Sequence, residues 1–207
     1  MSVLLLALLG FALGSLPFGL WIGKAARGLD VRDHGSGNLG ATNVLRTLGP
    51  GWGLLTLALD IAKGWAAVAV APGWLGMDAV GTGSLGPLVG AVAAVLGHMV
   101  TPLAGFHGGK GVATSLGAFL ALSPVAALLG MAGFILTVTW RRYVSMASMI
   151  MAIVFPLAAT FWGPPRPLRL GVIAVGCLLA GLVAWRHRAN WKRIAAGTEP
   201  RFRWRSE

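Results

Sequence analysis

Apolar residues run along this chain in long stretches separated by short polar breaks. Windows near 3–23, 51–72, 84–104, 144–162 and 168–185 each have the length of one helical bilayer crossing, which takes about 20 residues. A further apolar stretch, 112–140, is too long for one comfortable crossing and short for two. Ser123-Pro124 interrupts it, and a residue preceding proline is disfavoured in helical backbone. The pattern predicts an all-α polytopic membrane protein. It should have seven helical segments, including a short helical hairpin near 112–140 whose two members need not fully cross. No long linker or internal repeat is visible, so 1–207 reads as a single transmembrane domain.

Composition sharpens this picture. The chain is 56% hydrophobic and only 11% charged, against roughly 25% charged in soluble domains. The segment Met1-Ser2-Val3-Leu4 lacks the basic start of a cleaved signal peptide, so the first apolar window is expected as a retained span. The single cysteine, Cys177, allows no internal disulfide, and the four histidines form no metal-ligand cluster. No metal or cofactor is expected. The net charge is +11, which in a membrane protein is first a topology signal and calls for no nucleic-acid partner. Apart from Lys63, Arg166 and Arg169, every basic residue falls in one of four clusters. These follow span one (Lys24, Arg27, Arg32, Arg46), span three (Lys110), the interrupted stretch (Arg141, Arg142) and the last span (Arg186 onward, through Arg203 and Arg205). If 112–140 forms two segments, all four clusters share one side of the membrane. The positive-inside rule then places the N-terminus outside and the C-terminus in the cytoplasm.

The polar residues next to these spans carry the candidate chemistry. His34–Arg46 is small, polar and basic, with Ser36, Asn38, Thr42 and Asn43 as hydrogen-bonding groups and Arg46 closing it. Its Gly35-x-Gly37-x-x-Gly40 spacing matches a dinucleotide fingerprint, but a membrane span precedes it in place of a strand, so that reading is rejected. An anion site remains, against the plainer reading of a flexible turn capping the next helix. A second stretch, Gly108-Gly109-Lys110-Gly111-Val112-Ala113-Thr114, opens a helix. Free helix N-terminal N–H groups bind phosphate, and a lysine adds charge. Ala104 and Gly111 stand where a Walker A motif needs Gly and Ser/Thr, so nucleotide hydrolysis is not supported. The alternative is a glycine-rich helix start with a snorkelling lysine. A third patch places His187 and Asn190 three residues apart on one helix face, amid a basic cluster that stop-transfer alone would largely explain. Asp60 and Lys63 lie inside span two at i and i+3. Each charge costs about 2.5–3.5 kcal/mol in hydrocarbon on insertion scales, and this spacing lets them neutralise one another. His98 is as readily a packing element as a chemical one. Under the predicted topology the three patches fall on one face, which implies a composite phosphate pocket at the cytoplasmic interface.

Taken together, these residues resemble the acyl-phosphate-dependent glycerol-3-phosphate acyltransferases of the PlsY family. The resemblance runs through Gly14-Ser15-Leu16-Pro17-Phe18-Gly19, Gly35–Asn43, Asp60-Ile61-Ala62-Lys63-Gly64, Gly97-His98, Gly108–Thr114, Arg142-Tyr143-Val144-Ser145 and Arg186–Asn190 with Gly197-Thr198-Glu199. It departs at Met99-Val100-Thr101-Pro102 and at His107, where a lysine is usual. The resemblance implies transfer of a fatty acyl group from acyl phosphate to the 1-hydroxyl of sn-glycerol 3-phosphate. The products would be lysophosphatidic acid and phosphate, at the first step of phospholipid synthesis in the bacterial inner membrane. The expected partners are the two substrates and the lipid bilayer, with no obligate protein partner evident. The glycerol phosphate is assigned to Arg46, Lys110, His187 and Asn190 with Ser36. The acyl phosphate is assigned to Gly108, Gly109, Lys110 and Gly111 with Thr114, and to the 36–43 loop with Asn38, Thr42 and Asn43. Lys63 and Ser145 border the pocket, and Lys110, His187 and Ser36 are the expected catalytic groups. No His-x4-Asp base is present: five residues beyond the histidines stand Leu39, Leu103, Val112 and Lys192. That leaves two acceptors open for the hydroxyl proton, a substrate phosphate oxygen and His187. The alternative function is a transporter or flippase for a phosphorylated small molecule.

Overall fold

A computed structural model describes residues 2–76 and 85–202. Position 84, the expected start of the third span, and Arg203 and Arg205 lie outside the described residues. Every regular element among the described residues is helical: α1 (Ser2–Gly14), α2 (Phe18–Arg27), α3 (Ala41–Leu48), α4 (Pro50–Ala69), α5 (Ala71–Trp74), α6 (Gly86–Met99), α7 (Val112–Leu122), α8 (Pro124–Arg141), α9 (Val144–Trp162), α10 (Leu168–Arg186) and α11 (Arg188–Ala195), with 3-10 turns at Val31–Asp33 and Pro102–Ala104. Among the described residues, six helical stretches are long and apolar enough to cross a membrane, and Val112–Leu122 is a shorter seventh. The seven expected segments are therefore present.

Two boundaries differ from the expectation. The first span is not one continuous helix. It runs on to Arg27 but breaks at Ser15-Leu16-Pro17, because proline has no N–H for the helical ladder and crowds the preceding turn. The apolar run hid this break, since hydropathy does not register it. The interrupted stretch does divide at Ser123-Pro124, but unequally, into 11 residues of α7 and 18 of α8. Only α7 is too short to cross. Pro124 sits in the first turn of α8, where its missing N–H costs nothing.

The chain forms two compact units, Met1–Leu122 and Ser123–Glu207. In the first, α4 packs against α3, α6 and α7, and α1 packs against α6. The α4–α7 contact is backbone on backbone. A Cβ on Gly64 would overlap the Thr114 carbonyl, and one on Gly117 would overlap the Ile61 carbonyl. Glycine here permits a close approach that builds interfaces without help from the hydrophobic effect. In the second unit, α9 packs against both α8 and α10. The outer faces stay greasy: Leu54 is 61% exposed, Leu136 68% and Leu157 59%. Such surfaces suit lipid, and the helices satisfy their own backbone polar groups, as a bilayer requires.

Candidate functional site

In the first unit the polar loop after α2 is built by a few side chains. Helix α2 ends on left-handed Gly28 (φ 64°), whose N–H donates to Lys24 O at 3.0 Å, the 5→1 bond of an αL cap, while Leu29 N–H donates to Gly23 O at 3.3 Å. Asp30 then accepts the Arg32 backbone N–H at 2.9 Å and binds its guanidinium at 2.6 Å. Arg32 Nη1 reaches Ala104 O at 2.8 Å. This ties the loop to the turn after α6. Those hydrogen bonds from Arg32 hold the Asp30 carboxyl below the usual range.

Asn43 is the centre of the next turn. It is buried, and its Oδ1 accepts from Ser36 N–H (2.7 Å) and Ser36 Oγ (3.1 Å). Its Nδ2 donates to Val31 O (2.7 Å) and His34 O (3.1 Å). All four positions of the amide are thereby used, so Asn43 shapes the loop and does not offer itself to a ligand. Asn38 Oδ1 accepts Gly40 N–H at 2.8 Å, just before α3. Ser36 and Arg46 are exposed, and Asn38 and Thr42 are half-buried. The apolar face of α3, Val44 and Leu48, packs with Leu20, Ile22, Val31, Leu39 and Ala104, which fixes the loop from below.

The glycine stretch sits over His98. Gly109 N–H donates to His98 O at 3.0 Å, and a Cβ on Gly109 would overlap His98 Nε2. Gly111 is left-handed (φ 80°), a conformation that favours glycine, and turns the chain into α7. Lys110 is half-buried at this helix start. Thr114 departs from its expected role. It is 0% exposed, its carbonyl lies against Gly64, and its hydroxyl has no hydrogen-bond partner. It is the third residue of α7, and its side chain is fully buried.

Beneath these loops Lys63 Nζ meets Asp60 Oδ1 at 2.8 Å, the pairing that the i,i+3 spacing predicts. Lys63 also donates to Leu16 O at 2.8 Å, at the break between α1 and α2. His98 Nδ1 lies 3.6 Å from Asp60 Oδ1. Lys63, Asp60, His98, Thr101, Gly109 and Leu16 line a cavity of about 10 Å³, together with residues 14, 17–19 and 39. That is near the minimum for one water.

The second unit holds its own polar cluster, and its centre is a residue that the spacing argument did not pick out. Buried Glu199 accepts from Ser145 Oγ (2.7 Å) and Asn190 Nδ2 (2.7 Å) on Oε1, and from Arg193 Nε (2.7 Å) on Oε2. Burial pushes the Glu199 carboxyl up, but these three donors outweigh it and leave the group below its ordinary value. Ser145 and Asn190, expected at substrate, thus also hold the tail. Phe202 N–H extends the tie with a bond to Arg142 O at 2.6 Å. His187 is buried, and its Nδ1 lies 2.8 Å from Val183 O. A carbonyl only accepts, so Nδ1 carries the hydrogen of this bond.

The family model described as glycerol-3-phosphate acyltransferase matches residues 4–197. The chain belongs to the PlsY family of integral membrane glycerol-3-phosphate acyltransferases. It is 45% identical to glycerol-3-phosphate acyltransferase 3 of Bacillus anthracis, over 95% of this chain and 93% of the relative. It is 43% identical to the glycerol-3-phosphate acyltransferase of Desulforudis audaxviator, over 99% and 98%. Crystal structures of PlsY (YgiH), an integral membrane glycerol 3-phosphate acyltransferase, are similar at 38% identity, covering 98% of this chain and 96% of that one. The glycerol 3-phosphate form gives a TM-score of 0.87 and the lysophosphatidic acid form 0.86. Membership of the PlsY family decides between enzyme and transporter in favour of an acyltransferase.

Proposed function

We propose that this PlsY-family enzyme takes its acyl group from acyl phosphate and places it on the 1-hydroxyl of sn-glycerol 3-phosphate, releasing lysophosphatidic acid and phosphate. The observation that carries the reading is that the PlsY relative has been crystallised in both a glycerol 3-phosphate form and a lysophosphatidic acid form. These two molecules differ by one acyl ester. The reaction balances without a cofactor. The hydroxyl oxygen attacks the acyl carbonyl carbon, the bond from that carbon to the phosphate oxygen breaks, and the hydroxyl proton leaves on phosphate, whose second pKa is near 6. An acyl phosphate is already activated, so positioning and charge neutralisation suffice.

Within the first unit, Ser36, Asn38, Thr42 and Arg46 are proposed phosphate contacts, with Asn43 holding Ser36 in place. Gly108, Gly109, Lys110 and Gly111 cradle the acyl phosphate, and Lys63 borders this region. Within the second unit, His187 and Asn190 are proposed phosphate-binding groups, with Ser145 beside them and Glu199 setting the positions of Asn190 and Ser145. Both units serve one activity, supported by a family model that runs across them. The charge clusters support a bacterial inner-membrane orientation with the N-terminus outside and the chemistry on the cytoplasmic side.

The test uses purified protein with radiolabelled glycerol 3-phosphate and either palmitoyl phosphate or palmitoyl-CoA. Lysophosphatidic acid is expected with palmitoyl phosphate alone. Product with palmitoyl-CoA alone would overturn the proposed donor.

A further inference from the structure

None of the roles above uses the cations gathered at one end of the second unit. Helix α9 packs against α8 and α10 through short links, so the C-termini of α8 and α10 lie at the same end. Helix α11 follows there. The tail is tied to that end by the bonds of Glu199 to Ser145 and of Phe202 to Arg142. The acidic residues of this unit are Glu199, which Arg193 already binds, and Glu207, which lies outside the described residues. Arg141, Arg188, Lys192 and Arg201 therefore have no carboxylate partner among the described residues of the unit.

The arginines lie instead over aromatic rings. Arg188 stands 4.8 Å from the centre of the Trp185 ring, Arg141 5.1 Å from that of Trp140 and Arg201 5.6 Å from that of Tyr143. A guanidinium held over a ring keeps N–H donors open to an oxyanion. The rings are themselves outward: Trp140 is 81% exposed, and Trp185 and Trp191 are exposed as well. Arg169, at the opposite end, is used differently. It spends Nε on Pro164 O at 3.0 Å and Nη2 on Gly163 O at 3.3 Å, and so closes a turn of its own chain. Helix α11 buries Asn190 and leaves Trp191 and Lys192 exposed.

We infer that this end of the second unit is a binding site for the headgroups of acidic phospholipids. Indole rings settle at the headgroup level of a bilayer. Cationic side chains at that level attract acidic lipids, and arginine N–H groups match phosphate oxygens. A soluble acidic partner would account for the cations but not for the exposed indoles at the ends of apolar spans. Lipid held against the outer side of α11 also braces the helix that carries Asn190.

The test uses the enzyme reconstituted in phosphatidylcholine bilayers with a trace of chain-spin-labelled phosphatidylglycerol or phosphatidylcholine. Electron paramagnetic resonance reads how much of each label the protein holds. Wild type is expected to hold phosphatidylglycerol at least about threefold more strongly than phosphatidylcholine at low salt. Added salt should shrink the preference. Arg188→Gln with Lys192→Gln is expected to remove most of it. Arg141→Gln, on α8, is expected to remove part of it and carries the test if the double variant does not fold. Arg166→Gln, at the opposite end, is expected to leave it intact. No preference in the wild type, the result a soluble acidic partner would give, would overturn the inference. So would a preference that survives the folded variants, or one that falls as far in Arg166→Gln.

Discussion

At the scale of residues, the side chains proposed to meet substrate are themselves held. Ser36 is set by Asn43, and Asn190 and Ser145 are set by Glu199. Glu199 makes a direct prediction. Its folded-state value lies below the ordinary one. The stability it contributes is therefore present above the ordinary glutamate range and is lost as pH falls through the folded value. Glu199→Gln should cost about 1–3 kcal/mol at neutral pH, by weakening three hydrogen bonds to a buried carboxylate. The gap between wild type and variant should close in acid, as followed by thermal unfolding at a series of pH values. A gap that stays constant with pH would mean that the charge on Glu199 does not hold the tail. The sequence made Asp60–Lys63 legible, because i,i+3 on a helix is a local relation. Spacing did not single out Glu199, which entered only with the family resemblance, because its partners stand 54, 9 and 6 residues away. The available signal was scarcity: Glu199 is one of only six acidic residues in the chain, and it lies in a basic tail. Thr114 was legible as a hydroxyl near the phosphate loop, but its complete burial at the start of α7 was not.

At the scale of elements, hydropathy located the spans because lipid selects length and apolarity with little regard to detail. The α9 and α10 windows match within a residue, Val144–Trp162 and Leu168–Arg186 against 144–162 and 168–185. Two proline breaks divide the expectation. Ser123-Pro124 was legible because the apolar run was too long for one helix. Leu16-Pro17 was not, because the run there had an acceptable length and stayed apolar on both sides. Yet that break frees the carbonyl to which Lys63 is anchored. The contact of α4 with α7 depends on missing side chains, and Gly117→Val tests it. The added atoms meet the Ile61 carbonyl, and overpacking of this kind costs roughly 1–3 kcal/mol. Gly181→Ala in α10 is the control, because a Cβ there meets nothing within 4 Å, and alanine is the better helix former. The first variant should melt lower than wild type and the second should not. Equal losses would refute the close-packing account.

At the scale of the whole molecule, family membership shows a glycerol-3-phosphate acyltransferase, and the two forms of the PlsY relative support the reaction proposed for it. The polar loops of the first unit carry Lys110 and Arg46, and the second unit carries a basic helix with Asn190, preceded by His187. The central claim is that the acyl carbon, and not the phosphorus, of the donor is attacked by the glycerol hydroxyl. It is tested most directly with glycerol 3-phosphate carrying ¹⁸O at the 1-hydroxyl, palmitoyl phosphate as donor, and mass spectrometry of both products. The account predicts equal amounts of lysophosphatidic acid and phosphate, with the label in the ester and none in the released phosphate. Label recovered in a doubly phosphorylated glycerol with free palmitate released, the products of attack at phosphorus, or unlabelled ester, would contradict it.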